Sequence, residues 1–296
     1  MRGLAESWTC SGDFMQHWKG KGFTTILDLM LKSIPKSRLE TFILLNKEVE
    51  GIRWRASQPG SAETPLVHIT CKDGSLYAAR RVIVTVSIGV LKERHKQLFN
   101  PPLPQAKINT INNLQLCVLD KIYIEFEEAW WTEFHAIFSI LWRQEEKEKF
   151  TREEQWLTEV YGFMTIDNQP KVLLAWIYGE GAKTMEEISL ENVQIGIEKL
   201  LNMLFENKFN LTPIKSIIRT QWASNPLIRG AYSYRSVATE KDGGSAEILS
   251  QPLCAEAGLP VVCFGGEATS YHRHGAVHGA IEAGQTFETT IAVTTQ

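Results

Sequence analysis

VVCFGGEAT at residues 261–269 and GAVHGAIEAG at residues 275–284 predict a strand, a turn and a helix. The first stretch is apolar and β-rich until it breaks at Gly265 and Gly266. In the second stretch small residues recur at helical spacing, so one helix face carries almost no side chain. A flat ligand or another backbone can therefore approach this helix closely.

Glu267 follows the predicted strand directly. Open α/β sheets bind their ligands at this position, and a carboxylate there can bond a ribose hydroxyl. A helix that begins near Gly275 would present unpaired N–H groups and a positive dipole end to such a ligand. Small residues also favour ordinary contacts between a helix and a strand. The residues alone therefore fit a ligand site and a purely structural helix equally well.

The composition indicates a globular protein. With 296 residues, of which 44% are hydrophobic, the chain can bury one large core or two smaller ones. The net charge is −3 and no Lys/Arg cluster alternates with aromatic residues, so nucleic acid is not an expected partner. A membrane span is not expected either, because no stretch approaches about 18 consecutive apolar residues. The N-terminus lacks the apolar core of a signal peptide.

The five cysteines are widely spaced, odd in number and without a C-x-x-C pair. This pattern favours reduced thiols in an intracellular compartment. Several of them lie in apolar runs, where a thiol behaves as a small hydrophobic group. We therefore predict no cysteine chemistry and no metal site.

Apolar residues at helical spacing predict two helices. The first covers residues 23–31, with Thr24 as its cap, and is expected to pack on a core. The second begins at Ser189 and has an apolar stripe within residues 190–204. Residues 142–155 are rich in Glu, Lys and Arg without a clear apolar period, so a solvated loop or a short exposed helix is expected there.

Period-two alternation and apolar runs predict the strands. Asp73-Gly74 indicates a hairpin turn between two of them. The continuous apolar run at residues 82–86 is typical of a strand that is buried on both faces. Residues 120–126 alternate strictly between apolar and polar side chains. The predicted strands are residues 41–45, 49–54, 67–70, 75–77, 82–86, 120–126, 160–164, 172–178, 217–222 and 261–264.

The strings FGGEAT, GAVHGA and EAG, all within residues 264–284, resemble in combination the C-terminal flavin-binding signature of the flavin-containing amine oxidases. The resemblance is strongest to the polyamine oxidase and spermine oxidase branch. In that family the residue matching Glu267 bonds the ribose of FAD. The helix start, here Ala276 and Val277, meets the edge of the flavin ring. The resemblance therefore implies FAD as the cofactor.

Nearly the whole chain shares the resemblance, which implies roles for four further residues. The backbone at Val49 would meet the adenine, although strand packing alone also explains a valine there. Lys121 opens KIYIEFEEAWW, the family stretch whose lysine reaches a water beside flavin N5. Without the resemblance, a strand lysine is a solvated surface residue. Trp222 matches a tryptophan near the cofactor, and Tyr232 matches an aromatic wall of the substrate amine.

The resemblance also implies a mixed α/β (α+β) fold of two domains. Residues 1–38 and 111–228 would belong to a substrate domain, and residues 39–110 and 229–296 to an FAD-binding domain. In the family, a G-x-G-x-x-G fingerprint binds the FAD pyrophosphate at a helix N-terminus. Residues 1–296 contain no such fingerprint after a predicted strand. The N-terminal βαβ unit is therefore expected to be missing, in a fragment of a longer oxidase or in a degenerate relative.

The expected reaction is oxidation of a polyamine, namely spermine, spermidine or an N1-acetylated form, to an aldehyde and an amine. The flavin carries the two-electron step and O2 reoxidises it with release of H2O2. Ala276 stands where many amine oxidases carry a second aromatic wall, which favours a long, slender amine. The expected location is intracellular, cytoplasmic or peroxisomal, and the oligomeric state is not predicted. The alternatives are an inactive remnant that binds amines or proteins, and a demethylase or amino-acid oxidase specificity.

Overall fold

The computed structural model describes residues 18, 20–32, 43–54, 67–132, 137–241, 244–255 and 258–293. Within these residues, 3₁₀ helices cover Arg152–Glu159 and Glu267–Thr269. The α-helices are α1 Thr24–Leu31, α2 Ile88–Leu98, α3 Gln105–Asn113, α4 Gln144–Lys147, α5 Gly179–Glu187, α6 Leu190–Phe205, α7 Val237–Lys241, α8 Ala246–Ser250 and α9 Val277–Val293. The strands are β1 Val49–Trp54, β2 Val67–Cys71, β3 Leu76–Ala79, β4 Val82–Val84, β5 Phe99–Asn100, β6 Gln115–Cys117, β7 Leu119–Phe126, β8 Ile137–Ser139, β9 Val160–Ile166, β10 Gln169–Tyr178, β11 Ile214–Arg219, β12 Tyr232–Tyr234, β13 Leu253–Cys254 and β14 Pro260–Phe264.

The chain packs into two compact units. The described residues of Ile34–Leu116 and Leu227–Gln296 form unit 1, and those of Gly12–Ser33 and Cys117–Pro226 form unit 2. The chain therefore passes between the units after Leu116 and again after Pro226. The assignment of residues 1–38, 39–110, 111–228 and 229–296 to a substrate domain and an FAD-binding domain stays a prediction.

Unit 1 contains a four-stranded sheet in the order β3-β2-β1-β5 and a three-stranded sheet in the order β13-β14-β4. In the first sheet β2 and β3 pair antiparallel across Asp73-Gly74, which confirms the predicted hairpin. In the second sheet β14 runs parallel to β4, with Phe264 opposite Val84. One buried core joins the strands of both sheets with α2 and α3.

Two strand predictions in unit 1 need correction. The strand predicted over residues 82–86 ends at Val84, and it is not buried on both faces because Ile83 is 43% exposed. It ends early because Ser87 caps α2 by accepting a hydrogen bond from the Val90 N–H at 3.1 Å. Residues 43–45 of the strand predicted at 41–45 are not extended in a sheet, since they lead into a turn with Asn46 at φ 59°. Residues 41–42 and Cys10 lie outside the described residues.

Unit 2 is built on a five-stranded antiparallel sheet in the order β11-β7-β10-β9-β8. Along β7 half-buried and buried residues alternate, which confirms the alternation predicted for residues 120–126. Helix α6 packs its buried stripe into the same core and is capped by Ser189, whose Oγ accepts from the Asn192 N–H at 3.2 Å. The predicted second helix is therefore confirmed.

Two further predictions in unit 2 need correction. The strand predicted at 217–222 is Ile214–Arg219, because the chain enters a turn at residues 222–224. Thr24 is the first residue of α1 and not its cap, and no side chain caps this helix. No residue of α1 is buried in the described structure, so the expectation that it packs on a core is wrong there. The polar segment at 142–155 forms the short exposed helix α4 and enters a 3₁₀ helix, as expected.

Within the described parts of the chain, none of the helices combines the length and apolar character needed to cross a bilayer. The same parts hold no cluster of three or more potential metal ligands. The cysteines that the structure describes are free thiols, namely Cys71, Cys117, Cys254 and Cys263.

Candidate functional site

A cavity of about 350 Å³ lies beyond the carboxyl ends of β4 and β14 in unit 1. The last residues of the two strands, Val84 and Phe264, contribute to its walls. Parallel strands of α/β sheets bind ligands at their carboxyl ends, so the topology predicts a ligand here. Gly266, which also lines the cavity, has φ 115°, a conformation that other residues rarely adopt. This glycine allows the backbone to turn into the cavity wall directly after the strand.

Glu267 holds three segments together at this cavity. Its Oε1 accepts a hydrogen bond from the Ser233 N–H at 3.1 Å. Its Oε2 accepts one from the Ser233 hydroxyl at 2.6 Å and one from the Gly275 N–H at 2.6 Å. A carboxylate has about four acceptor positions, and these three bonds leave one position on Oε1. A ribose hydroxyl can donate to that position, so the residue fits the role that the family resemblance implies for it.

The structure brings Tyr232, Ala276 and Val277 to the same region as Glu267. A Cβ placed on Gly275 would lie 3.0 Å from the Ser233 carbonyl oxygen and 3.2 Å from Cδ2 of Tyr232. Only a glycine with its φ of 72° therefore lets β12 pack directly on the start of α9. Tyr232 and Val277 remain partly open to solvent, with 38% and 50% exposure.

Val49 lies elsewhere in unit 1. It is the first residue of β1, in the four-stranded sheet, and it is not part of the lining of the Glu267 cavity. Its carbonyl oxygen accepts a hydrogen bond from the Arg94 guanidinium at 3.3 Å. The same guanidinium binds the Glu48 carboxylate at 3.1 Å, so the backbone at this position is held in place by neighbouring charges.

Lys121 and Trp222 belong to unit 2, and Thr220 joins them. The Thr220 N–H donates to the Lys121 carbonyl at 3.0 Å, and the Lys121 N–H donates to the Thr220 hydroxyl at 2.9 Å. Lys121 Nζ lies 4.6 Å from the ring centroid of Trp176 on the neighbouring strand. Burial lowers the pKa of Lys121, so this amine releases its proton more readily than an exposed lysine. Trp222 is 39% exposed.

Three polar residues of these sites were not predicted from the sequence. Ser233 supplies two donors to Glu267, and Asp120 and Glu186 are buried acids beside the Trp222 backbone. The burial of Asp120 could have been predicted, because the alternation along β7 places it on the same buried face as Ile122. No sequence signal marks Ser233 or Glu186, since their partners come from distant parts of the chain.

Residues 2–286 match the family model described as flavin containing amine oxidoreductase, and the chain belongs to this family. It is 32% identical over 274 residues to the human peroxisomal N(1)-acetyl-spermine/spermidine oxidase, with 89% of this chain and 52% of that protein covered. It is 26% identical over 298 residues to a probable polyamine oxidase of Arabidopsis thaliana, with 89% and 53% covered. The chain thus spans about half the length of the curated relatives it matches.

A solved structure of wild-type putrescine oxidase bound to putrescine shares the fold. The TM-score is 0.59 at 17% identity, and the match covers 92% of this chain and 53% of that one. At this low identity, the similarity shows only that the two proteins share a fold.

The comparisons confirm the predicted family and the mixed α/β fold of the flavin amine oxidases. The family match also supports FAD as the predicted cofactor and the amine oxidoreductases as the family of enzymes. Amine oxidation by this chain, which spans about half of these relatives, is a proposal. The roles of the individual residues stay predictions. They are Val49, Lys121, Trp222, Tyr232, Glu267, Ala276 and Val277.

Proposed function

We propose that this chain supplies part of an oxidase that uses FAD and O2 to oxidise a polyamine to an aldehyde and an amine, with release of H2O2. The observation that carries the proposal is the Glu267 carboxylate, which has one acceptor position left after its bonds to the described residues and lies at a cavity beyond two parallel strands. The human relative's name, an oxidase of N(1)-acetyl-spermine and spermidine, supports a polyamine as the substrate class. We also propose an intracellular location, cytoplasmic or peroxisomal.

When bound, the flavin supplies the two-electron oxidation of the C–N bond. Glu267 is proposed to accept a hydrogen bond from the ribose, and the backbone of Val49 to contact the adenine. Val277 begins a helix of 17 residues and Ala276 precedes it directly; the dipole of the helix favours negative charge at its N-terminus. These two residues are proposed to border the flavin ring.

The remaining residues are proposed to act on the substrate side. The exposed face of Tyr232 attracts a cationic amine, an interaction of about 0.5–2 kcal/mol. Lys121 Nζ is proposed to hold a water or a proton beside the flavin, since its lowered pKa makes proton exchange easier. Trp222 is proposed to contact the cofactor, and its partly exposed ring leaves surface for that contact.

The test measures how tightly the purified chain binds FAD. The chain is titrated into FAD, and quenching of the flavin fluorescence reports the binding. Glu267→Gln replaces one acceptor oxygen by an NH₂ group, which cannot accept hydrogen bonds. We expect about tenfold weaker binding, equivalent to about 1.4 kcal/mol, for one lost charge-assisted hydrogen bond. Glu247→Gln removes an exposed charge from the same unit and is the matched control.

Peroxide release with spermine, spermidine and N1-acetylspermine then tests the substrate class. Binding of FAD without peroxide from any of these amines would point to another specificity. If the chain does not bind FAD and does not release peroxide, the proposal fails for this chain. The alternative of an inactive remnant then explains the data better.

A further inference from the structure

Two acids are buried together in unit 2. Asp120 is 0% exposed and Glu186 is 4% exposed. Asp120 lies on β7, where its side chain shares the buried face of the strand with Ile122, and Glu186 lies in the last turn of α5. Acids are almost never fully buried unless they are paired or hydrogen-bonded, because burial of an uncompensated charge is costly.

The hydrogen bonds of Asp120 leave one of its oxygens without a donor. Oδ1 accepts from the Thr220 hydroxyl at 2.6 Å and from the Trp222 N–H at 3.3 Å. In the described parts of the chain no N–H or hydroxyl group donates to Oδ2. The Asp120 carboxyl interacts with the Glu186 carboxyl, and the two acids accept from neighbouring backbone N–H groups of one turn.

Both oxygens of Glu186 accept hydrogen bonds from the turn after β11. Oε1 accepts from the Ala223 N–H at 2.8 Å, and Oε2 accepts from the Ser224 N–H at 2.6 Å. The Glu186 carbonyl accepts from the Gln221 side chain at 2.9 Å. Three consecutive N–H groups, those of residues 222–224, therefore bond to one or the other carboxyl.

Two neighbouring carboxyl groups at a buried place repel each other when both are ionised, so below the raised pKa of the pair one proton lies between them. Burial, and to a smaller extent the interaction with Glu186, raises the pKa of Asp120 to about 7. Burial alone would raise the pKa of Glu186, but the hydrogen bonds from Asp120 and from the Ala223–Ser224 backbone outweigh it and lower this pKa. Asp120 therefore holds the proton, and Glu186 is the anion that accepts it as a hydrogen bond.

We propose that Asp120 and Glu186 share one proton and act as positioning residues, which hold the segment at residues 220–224 and through it Lys121 and Trp222. The value of this positioning for catalysis rests on the function proposed above for Lys121 and Trp222. The link to Lys121 is the pair of backbone and hydroxyl hydrogen bonds between it and Thr220. The link to Trp222 is its own N–H.

Two charged side chains, those of Arg219 and Lys121, lie near the acid pair. Arg219 on β11 attracts both carboxyls, and its guanidinium donates to the Met185 carbonyl next to Glu186. Lys121 follows Asp120 along β7 but projects from the opposite face of the strand. When the pH rises and the shared proton leaves, two adjacent anions remain, and Arg219 is the charged group among the described residues that compensates them. The segment at 220–224 should then be held less firmly.

The experiment uses the whole chain without flavin or amine. Asp120→Asn keeps an oxygen for Thr220 and Trp222 and puts a permanent NH₂ donor where the shared proton lies. We expect the wild-type midpoint of thermal unfolding to fall between pH of about 4 and about 7 relative to this variant, because the folded wild type holds a proton there that the unfolded chain has lost. Glu187→Gln removes an exposed charge next to Glu186 and should keep the wild-type pH profile.

A second readout follows Trp222 itself. The difference between the wild type and Trp222→Phe isolates its fluorescence, and acrylamide quenching of that signal should rise with pH in the wild type and stay constant in Asp120→Asn. Equal pH profiles in the wild type and Asp120→Asn, or quenching independent of pH in both, would overturn the proposal.

If Asp120→Asn does not fold, infrared spectra of the wild type with isotope-labelled aspartate decide the question. A protonated Asp carboxyl band that disappears as the pH passes about 7 supports the shared proton, and its absence at pH of about 5 refutes it. Because none of these measurements needs FAD, failure of the chain to bind FAD would leave the result for the acid pair intact. A negative result for the pair would likewise leave the proposed oxidase function standing.

Discussion

Lys107 is a buried cation on α3 whose replacement by Met tests how unit 1 is held together. It is 3% exposed, and its Nζ donates to the carbonyl oxygens of Ile248, Leu249 and Gln251 at 2.8, 2.7 and 2.8 Å. Nζ also lies 4.3 Å from the ring centroid of Phe264, which is a wall of the Glu267 cavity. One ammonium group therefore connects α3, the C-terminal end of α8 and β14.

The expected loss of stability follows from these contacts. Three hydrogen bonds from a charged donor are worth about 1.5–3 kcal/mol each. Burial opposes them, since it lowers the pKa of Lys107 from 10.5 to about 8, which corresponds to about 3 kcal/mol. Met keeps the apolar stem and leaves three carbonyl groups without their donor. We therefore expect Lys107→Met to lower the free energy of unfolding by about 3–5 kcal/mol, as when one partner of a buried charge interaction is removed.

Urea unfolding at neutral pH, followed by circular dichroism and tryptophan fluorescence, measures this loss. The matched control is Lys92→Met, because Lys92 donates a single hydrogen bond, to the Asn112 carbonyl at 2.7 Å. That bond lies at the surface, so the control should lose less than about 1 kcal/mol. A loss for Lys107→Met no larger than that of the control would show that the three carbonyls find other donors and that the buried cation does not hold α8.

Two further predictions concern stability. Gly275→Ala should lower it by about 1–3 kcal/mol, because the new Cβ would lie 3.0 Å from the Ser233 carbonyl at a backbone φ of 72°. Gly284 lies within α9, and a Cβ added there would meet nothing within 4 Å, so Gly284→Ala should instead raise stability by up to about 1 kcal/mol. Urea midpoints compare the two variants. Burial, and to a smaller extent the charge of Lys96, lowers the pKa of His95 in the folded state. The unfolded chain then binds the proton more tightly, so stability should fall as the pH drops below about 6.5. A His95→Gln variant should lose this slope in urea midpoints taken across that range, and an unchanged slope would contradict the assignment.

The strand, turn and helix around Glu267 could be predicted because their signals are local. Two glycines end an apolar run, and small residues repeat at helical spacing, so the element types follow from residues that lie close in sequence. The ends of elements were less predictable. β4 stops at Val84 because Ser87 caps the next helix, a competition that an apolar run does not reveal.

The polar contacts depended on tertiary structure. The alternation along β7 fixes which face Asp120 occupies, but not which group meets it there. Glu186 reaches Asp120 only because α5 ends beside the turn after β11, and Ser233 reaches Glu267 only because Gly275 lets β12 approach α9. Sequence patterns give the period of an element and its buried face, whereas partners across distant segments require the packed structure.

The geometry around Glu267 also bears on the cost of binding a cofactor. Its three hydrogen bonds come from the chain itself, from Ser233 and from Gly275, so the end of β14, β12 and the start of α9 are already joined. A carboxylate that is held in this way would lose little conformational freedom if a ribose hydroxyl bonded to it as proposed. The same bonds make Glu267 structural, so Glu267→Ala should weaken folding as well as FAD binding. Glu267→Gln keeps the shape and one acceptor oxygen but turns its NH₂ group toward one backbone N–H, so it should weaken folding less than Glu267→Ala does. Comparing urea midpoints with FAD affinities for these two variants therefore separates the ligand role of Glu267 from its structural role.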